Sequence, residues 1–193
     1  MPKVGMEPIR KAALVKATIT EIGRTGSLDV TVSQIAKRAG MSSALAHHYF
    51  GSKEQIFLAA MRHILTLYGA EVRGALAAAD GSRGRLQGIV RASFAPSSFR
   101  RETIGAWLNF YVLSQTLPEA RRLLGIYQRR LNSNLCNDLR PLIGMRAEAV
   151  ARGLGAMIDG VYIREALKGG TPDGAGAAEI VMEYLERELE TTA

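Results

Sequence analysis

The stretch from Thr31 to Gly51 constrains the fold more tightly than any other part of the chain. Ile35, Ala36 and Ala39 recur at helical spacing behind Thr31, which can cap a helix running from Val32 to Ala39. Gly40 ends that helix, and Ser42 or Ser43 can cap a second one that runs to about Phe50 and stops at Gly51. Two short helices joined by about three residues around a glycine form the helix-turn-helix pattern.

The flanking sequence is helical as well. From Glu7 to Gly26 the residues Ile9, Ala13, Leu14, Ala17, Thr18 and Ile22 step by three and four, with Pro8 where a first turn tolerates it. Ser52 and Gln55 have the spacing of a capping box for a long helix from Lys53 to about Ala79. Further apolar-periodic segments are predicted at 85–94, 104–116, 118–140, 146–168 and 173–189. They are separated by polar, proline or glycine breaks at Asp80 to Gly84, Pro96, Pro118, Pro141 with Gly144, and Gly169 to Pro172. No run alternates with period two, and no internal repeat stands out. The expected fold is all-α with about nine helices: a three-helix domain in residues 1–60 and a larger helical domain in 61–193.

Composition narrows the function. With 47% apolar residues in 193, the chain can bury a substantial core. Residues 1–63 hold nine Lys/Arg against four Asp/Glu, while residues 64–193 hold 16 against 14, so most of the net +7 sits in the first third with all three histidines. That asymmetry points a polyanion at the N-terminal part. No window is long and apolar enough to span a membrane, and Met1 to Arg10 lacks the apolar region of a secretion signal, so a cytoplasmic protein is expected. Cys136 stands alone, which excludes an internal disulfide or a cysteine-cluster metal site. There is no phosphate loop, His-Glu-x-x-His helix or nucleophile elbow; His47 and His48 diverge by about 100° on a helix and cannot share a metal there. Neither catalysis nor a cofactor is expected.

The second short helix must bury Leu45 and either Tyr49 or Phe50, leaving Ser43, Ala44, His47 and His48 outward. Small residues at its start allow close approach to base edges, and hydroxyl and imidazole groups suit bases or phosphates. Lys53 sits at a helix N-terminus, where a phosphate is already favoured. Spacing alone leaves two readings open, because short helices around a glycine also occur in all-α proteins that touch no nucleic acid.

The run from Thr31 to Phe57, with Ile35-Ala36, Ala39-Gly40, Ser42, Tyr49-Phe50 and Ser52-Lys53 in register, resembles the N-terminal signature of the tetracycline-repressor (TetR) family of bacterial regulators. The resemblance implies a three-helix DNA-binding domain over about residues 9–57, double-stranded operator DNA as partner, and contacts from Thr31, Ser42, Ser43, His47, His48, Tyr49 and Lys53. It also implies a homodimer joined through the last two long helices. His47 departs from the pattern, standing where the family most often has tyrosine. Three segments outside that module, Met1 to Arg10, Arg129 to Cys136 and Arg152 to Leu167, are similar to a branch of the family that responds to choline and represses glycine betaine synthesis and choline uptake genes. Choline as ligand comes with that resemblance, not from composition or spacing.

Residue chemistry says whether such a ligand has a home. A quaternary cation wants aromatic faces and a carboxylate nearby. Trp107, Phe110, Tyr111 and Ser114 share one face of the predicted helix 104–116; Tyr127 and the pair Asp159 and Tyr162 could supply other walls and the counter-charge. The same aromatic stripe reads equally as core. Asp159 interrupts an apolar run and needs a partner, either a ligand cation or an arginine such as Arg130 or Arg164. Gly153, Gly155 and Gly160 on one helix imply a close neighbour, and Ile180, Val181, Tyr184 and Leu185 offer a dimer seam or a core stripe. The competing expectations are a sensor of another amphipathic cation and a sequence-independent DNA-coating protein.

Overall fold

A computed structural model describes residues 5–190, so Met1 to Val4 of the N-terminal motif lie outside the described residues. Among those described, the regular structure is helical throughout: nine α-helices and two short 3-10 turns. They form two compact units, one of residues 1–65 with 100–122 and the other of 66–99 with 123–193.

The first unit starts with α1 (Met6–Thr25), which ends at Gly26 with φ 69°; Gly26 N–H donates to the Ile22 carbonyl. A positive φ is accessible to glycine without the Cβ penalty. Helix α2 (Val32–Arg38) is capped by Thr31. The Thr31 hydroxyl accepts from Gln34 N–H at 3.2 Å, and the Gln34 side-chain oxygen accepts from Thr31 N–H at 2.7 Å. This reciprocal box satisfies two otherwise orphaned donors. Ser42 rather than Ser43 caps α3 (Ser43–Phe50), accepting from Leu45 N–H at 3.2 Å. Ser42 and Ser52 do the same task ten positions apart: the Ser52 hydroxyl accepts from Gln55 N–H at 3.3 Å ahead of α4 (Lys53–Ala78). Leu14, Ile22, Val30, Ile35, Ala36, Ala46, Ile56 and Phe57 make the core. The fully buried residue of α3 is thus Ala46, with Leu45, Tyr49 and Phe50 only half-buried and the two rings packed against that core.

Helix α6 (Arg101–Thr116) packs against α1 in this same unit. A Cβ on Gly23 would fall 2.5 Å from the Glu102 Cα, and one on Gly105 would fall 3.4 Å from the Ile22 carbonyl oxygen. Two facing glycines therefore let the backbones meet. Helix α6 begins three residues before the expected Ile104.

The second unit contains the end of α4, α5 (Gly81–Ser93), most of α7 (Pro118–Ile143), α8 (Ala147–Leu167) and α9 (Gly174–Glu190). Helix α5 starts at Gly81, four residues before Arg85, since Asp80 alone takes the extended backbone of a helix entry and Ser82 and Gly84 are absorbed into the first turn. Helix α7 runs through Pro141 to Ile143 instead of stopping before it, the proline lying in the exposed last turn, and Gly144 with φ 56° ends it. Arg85 ties three of these helices together, donating to Asp138 on α7 at 2.9 Å and to the Leu76 carbonyl of α4. Gly153 does meet a neighbour, the Tyr184 hydroxyl 3.0 Å from a built Cβ, and Gly155 has only ordinary contact with Leu131. Gly160 has nothing of its own chain within 4 Å of an added Cβ. Val181 and Leu185 are fully buried in the chain's own core, while Ile180 is 53% exposed.

Candidate nucleic-acid interface and cation site

Every residue of the sequence-derived contact set lies on or beside α2, α3 and the start of α4. Thr31, Ser42, His47 and His48 are exposed, and Ser43, Tyr49 and Lys53 are half-buried. Ser43, Ala44 and His47 share one face of α3 by helical spacing. The caps hold both helix starts open, so α3 presents small side chains at its N-terminal end. His47 folds back on its own helix end: its Nδ1 lies 3.0 Å from the Gly51 carbonyl oxygen.

Two features escaped the sequence reading. Glu21, buried on α1, forms ion pairs with Arg38 at the end of α2 and, at 3.0 Å, with Arg24. The Arg38 hydrogen bond first, then Arg24, holds its carboxyl below the usual glutamate range despite burial. This bridge fixes α2, and through it α3, on α1. Tyr49 is also bracketed by cations: the Lys11 ammonium sits 6.0 Å from its ring centroid and Arg10 donates to its hydroxyl at 3.4 Å. Lys53 lies 5.5 Å from the Phe57 ring centroid, one turn along α4. Its stem is steadied by the ring while the ammonium stays at the helix start. Thr31 and Gln34 have capping-box spacing and could have been read so; Glu21 and Arg38, 17 positions apart, carry no local signal.

The aromatic stripe of α6 falls in the first unit. Trp107 and Phe110 meet edge-on at 6.1 Å, Trp107 and Tyr111 lie 5.8 Å apart, and Phe110 is 1% exposed. Trp107 and Phe110 are buried and Tyr111 is half-buried. The second unit brings together Tyr127, Asp159 and Tyr162. The Tyr127 hydroxyl donates to Asp159 Oδ1 at 2.8 Å. Tyr162, one turn further along α8, donates to the Ser98 carbonyl at 2.9 Å and packs on Phe99 at 5.2 Å. Tyr68, which the sequence reading did not single out, meets Tyr127 edge-on at 5.7 Å, and its hydroxyl lies 3.0 Å from that of Ser93. No spacing rule connects Tyr68 or Phe99 to Asp159; only the packing of α4, α7, α8 and the 3-10 turn Pro96–Phe99 does.

Asp159 is therefore a carboxylate in an aromatic nest. Burial raises its pKa above the ordinary aspartate value, with the Tyr127 hydrogen bond opposing. Burial, reinforced by the nearby Asp159 charge, also pushes Tyr68 up to about 12. Among the described residues neither Arg130 nor Arg164 pairs with Asp159, so the arginine alternative is replaced by a tyrosine hydroxyl. A hydroxyl satisfies one lone pair and leaves the charge uncompensated. A separate open groove of about 610 Å³ between α4 and α5 is lined mainly by glycine and alanine with Glu71, Gln87 and Arg91. It presents no aromatic face to a quaternary cation. Among the described residues, no helix is long and apolar enough to cross a membrane and no three His, Cys, Asp or Glu side chains could hold a metal.

Two family models match successive parts of the chain. Residues 14–60 match the family of bacterial regulatory proteins called the tetR family, and residues 82–190 match the C-terminal domain of BetI-type transcriptional repressors. The HTH-type transcriptional regulator BetI of Brucella anthropi is 50% identical over 190 residues, covering 98% of each chain. Its namesake from Agrobacterium fabrum is 47% identical over 192 residues, covering 99% of this chain and 93% of its own. Among solved structures, a protein from Saccharomonospora viridis, described as a transcriptional regulator in complex with choline, superposes with a TM-score of 0.80 at 23% identity. That match covers 91% of this chain and 95% of the other. A Pseudomonas aeruginosa regulator superposes with a TM-score of 0.83 at 25% identity, covering 94% of this chain and 91% of its own. The chain belongs to the TetR family of bacterial regulators and carries the C-terminal domain of a BetI-type transcriptional repressor.

Proposed function

We propose that this repressor responds to choline and controls genes of choline uptake and glycine betaine synthesis, acting in the cytoplasm. The observation that carries the ligand half is Asp159: a half-buried carboxylate with no cationic partner among the described residues, held by Tyr127 beside aromatic rings. A quaternary ammonium donates no hydrogen bond, so it needs the pairing of aromatic faces and a diffuse counter-charge that Tyr68, Tyr127, Tyr162 and Asp159 offer. The relatives' name and the choline-bound neighbour support the same reading. The six-residue ligand set read from the sequence narrows in this proposal to the three that one unit holds together, Tyr127, Asp159 and Tyr162.

In the DNA half, residues 1–60 are the reading domain. Ser42, Ser43, His47 and His48 of the recognition helix face the major groove, and Thr31, Tyr49 and Lys53 hold phosphates. The exposed faces of α8 and α9, Ile180 among them, form the homodimer seam, which places two recognition helices on a palindromic operator. Helices α4 and α7 each run from one compact unit into the other. Through them, ligand binding in residues 61–193 shifts the population toward a spacing that no longer fits successive grooves. A coupling of about 1–3 kcal/mol suffices.

Calorimetric titration tests the ligand half: choline should bind, and 3,3-dimethylbutan-1-ol, its neutral isostere, should bind at least tenfold more weakly. Equal binding of the two would remove the cation site from the account.

A further inference from the structure

We infer that His47 reads operator bases as a hydrogen-bond acceptor, through Nε2, and so selects an exocyclic amino group of adenine or cytosine. The inference rests on the DNA-reading role proposed for α3 and gives that position its chemistry.

The argument starts at the helix end. Gly51 has φ 78° and ψ −63°, a conformation that turns its carbonyl back over the last turn of α3. Its N–H donates to the His47 carbonyl at 2.7 Å, and its own carbonyl oxygen lies 3.0 Å from His47 Nδ1. Those two contacts close a small ring that fixes the imidazole plane. A carbonyl oxygen has only lone pairs, so the hydrogen in the second contact belongs to Nδ1. In the neutral ring the hydrogen cannot also be on Nε2, which is left with a lone pair. His47 is exposed and shares its face with Ser43 and Ala44, the face proposed above to meet the groove, so the ring carries that lone pair there.

What a lone pair can meet there is limited. Phosphate oxygens only accept, so the neutral ring has no hydrogen bond to offer the backbone from Nε2. In the major groove guanine presents acceptors at N7 and O6, and thymine an acceptor at O4. Adenine N6 and cytosine N4 carry the amino donors. A histidine so poised discriminates amino from carbonyl edges. The neighbouring His48 packs instead on the Tyr49 ring at 5.5 Å and, among the described residues, has no such tether to a carbonyl.

Two measurements on the full chain test this. Long-range nitrogen-15 correlation spectra of the free protein should show the hydrogen on Nδ1 and a bare Nε2 at His47. A bare Nδ1 overturns the inference while leaving the DNA-reading role intact. In the second measurement, each adenine of the operator half-site is replaced in turn by unsubstituted purine and each cytosine by 2-pyrimidinone, so that only the amino group is lost. Binding is then compared for the wild type and His47→Ala, both checked for helix content. One position per half-site should lose about three- to tenfold in affinity with the wild type and nothing with His47→Ala. His47→Gln, which retains an acceptor, should restore part of that sensitivity. If every amino deletion weakens both proteins equally, His47 is not the reader. A wild type that prefers no promoter sequence at all defeats the DNA-reading role itself, and the inference with it.

Discussion

Replacing Glu21 with glutamine removes one negative charge from the point where α1 holds α2. The side chain is 5% exposed, whereas its partners Arg38 and Arg24 are 40% and 56% exposed. Breaking a fully buried pair costs about 3–5 kcal/mol because the abandoned charge cannot reach water. Here both guanidinium groups can, and the glutamine oxygen still accepts one hydrogen bond. The expected loss is therefore about 1–2 kcal/mol, nearer the value of a charged hydrogen bond than of a buried ion pair. Trp107, the single tryptophan, is buried in the same unit and reports its unfolding by fluorescence. With a urea slope of about 2 kcal/mol per molar, the midpoint should fall by about 0.5–1 M. The carboxyl pKa is lowered in the folded state, so the stability it contributes is present above the ordinary glutamate value and is lost as the pH drops through the folded one. The gap between wild type and Glu21→Gln should accordingly be full at neutral pH and close below the carboxylate range. An unchanged midpoint at pH 7, or a gap that persists in acid, would refute the bridge as the clamp on α2.

Four further outcomes follow from the geometry. Lys53→Ala should weaken binding to promoter and scrambled DNA alike and reduce the slope of log affinity against log salt by about 0.9, one phosphate contact, in anisotropy titrations; an unchanged slope contradicts the phosphate role. Gly23→Ala should cost about 1–3 kcal/mol in denaturant unfolding, because its Cβ would meet the Glu102 backbone rather than a movable side-chain tip. Asp159→Asn should weaken choline binding on the order of tenfold. In the wild type, choline affinity should fall with pH while still above the ordinary aspartate range, because burial has raised that carboxyl and the neutral acid offers no counter-charge; calorimetry at stepped pH checks both.

What was legible in the sequence was local. Thr31, Ser42 and Ser52 announce helix starts by hydroxyls that the backbone itself uses, and Gly26, Gly40 and Gly51 announce ends by a φ that other residues reach only with strain. Two of the helix ends that differ do so where two local rules compete: Pro141 can occupy a last turn without ending the helix, and Asp80 can open a helix that runs on through Gly84. The candidate sites were legible only as residue types. Chemistry nominated Asp159 and Tyr127, but their hydrogen bond joins α8 to α7, and Tyr68 and Phe99 arrive from distant segments. The stripe of Trp107 and Phe110 shows the converse, because a ligand wall and a core face have the same periodicity. Burial does not separate them either, since Trp107 at 7% exposure is covered as fully as Tyr127 at 8%. Glu21 was invisible for the same reason as Tyr68: its partner Arg38 is set by how α1 and α2 cross.

The central claim is that one chain couples reading of a specific operator to occupation by a quaternary cation. Fluorescence anisotropy against the chain's own promoter and a scrambled duplex, at physiological salt, tests it most directly, with choline or its neutral isostere at millimolar concentration. The account predicts a clear preference for the promoter that choline weakens by about 5- to 150-fold and the isostere leaves unchanged. Equal affinity for the two duplexes, or equal weakening by both compounds, would contradict it.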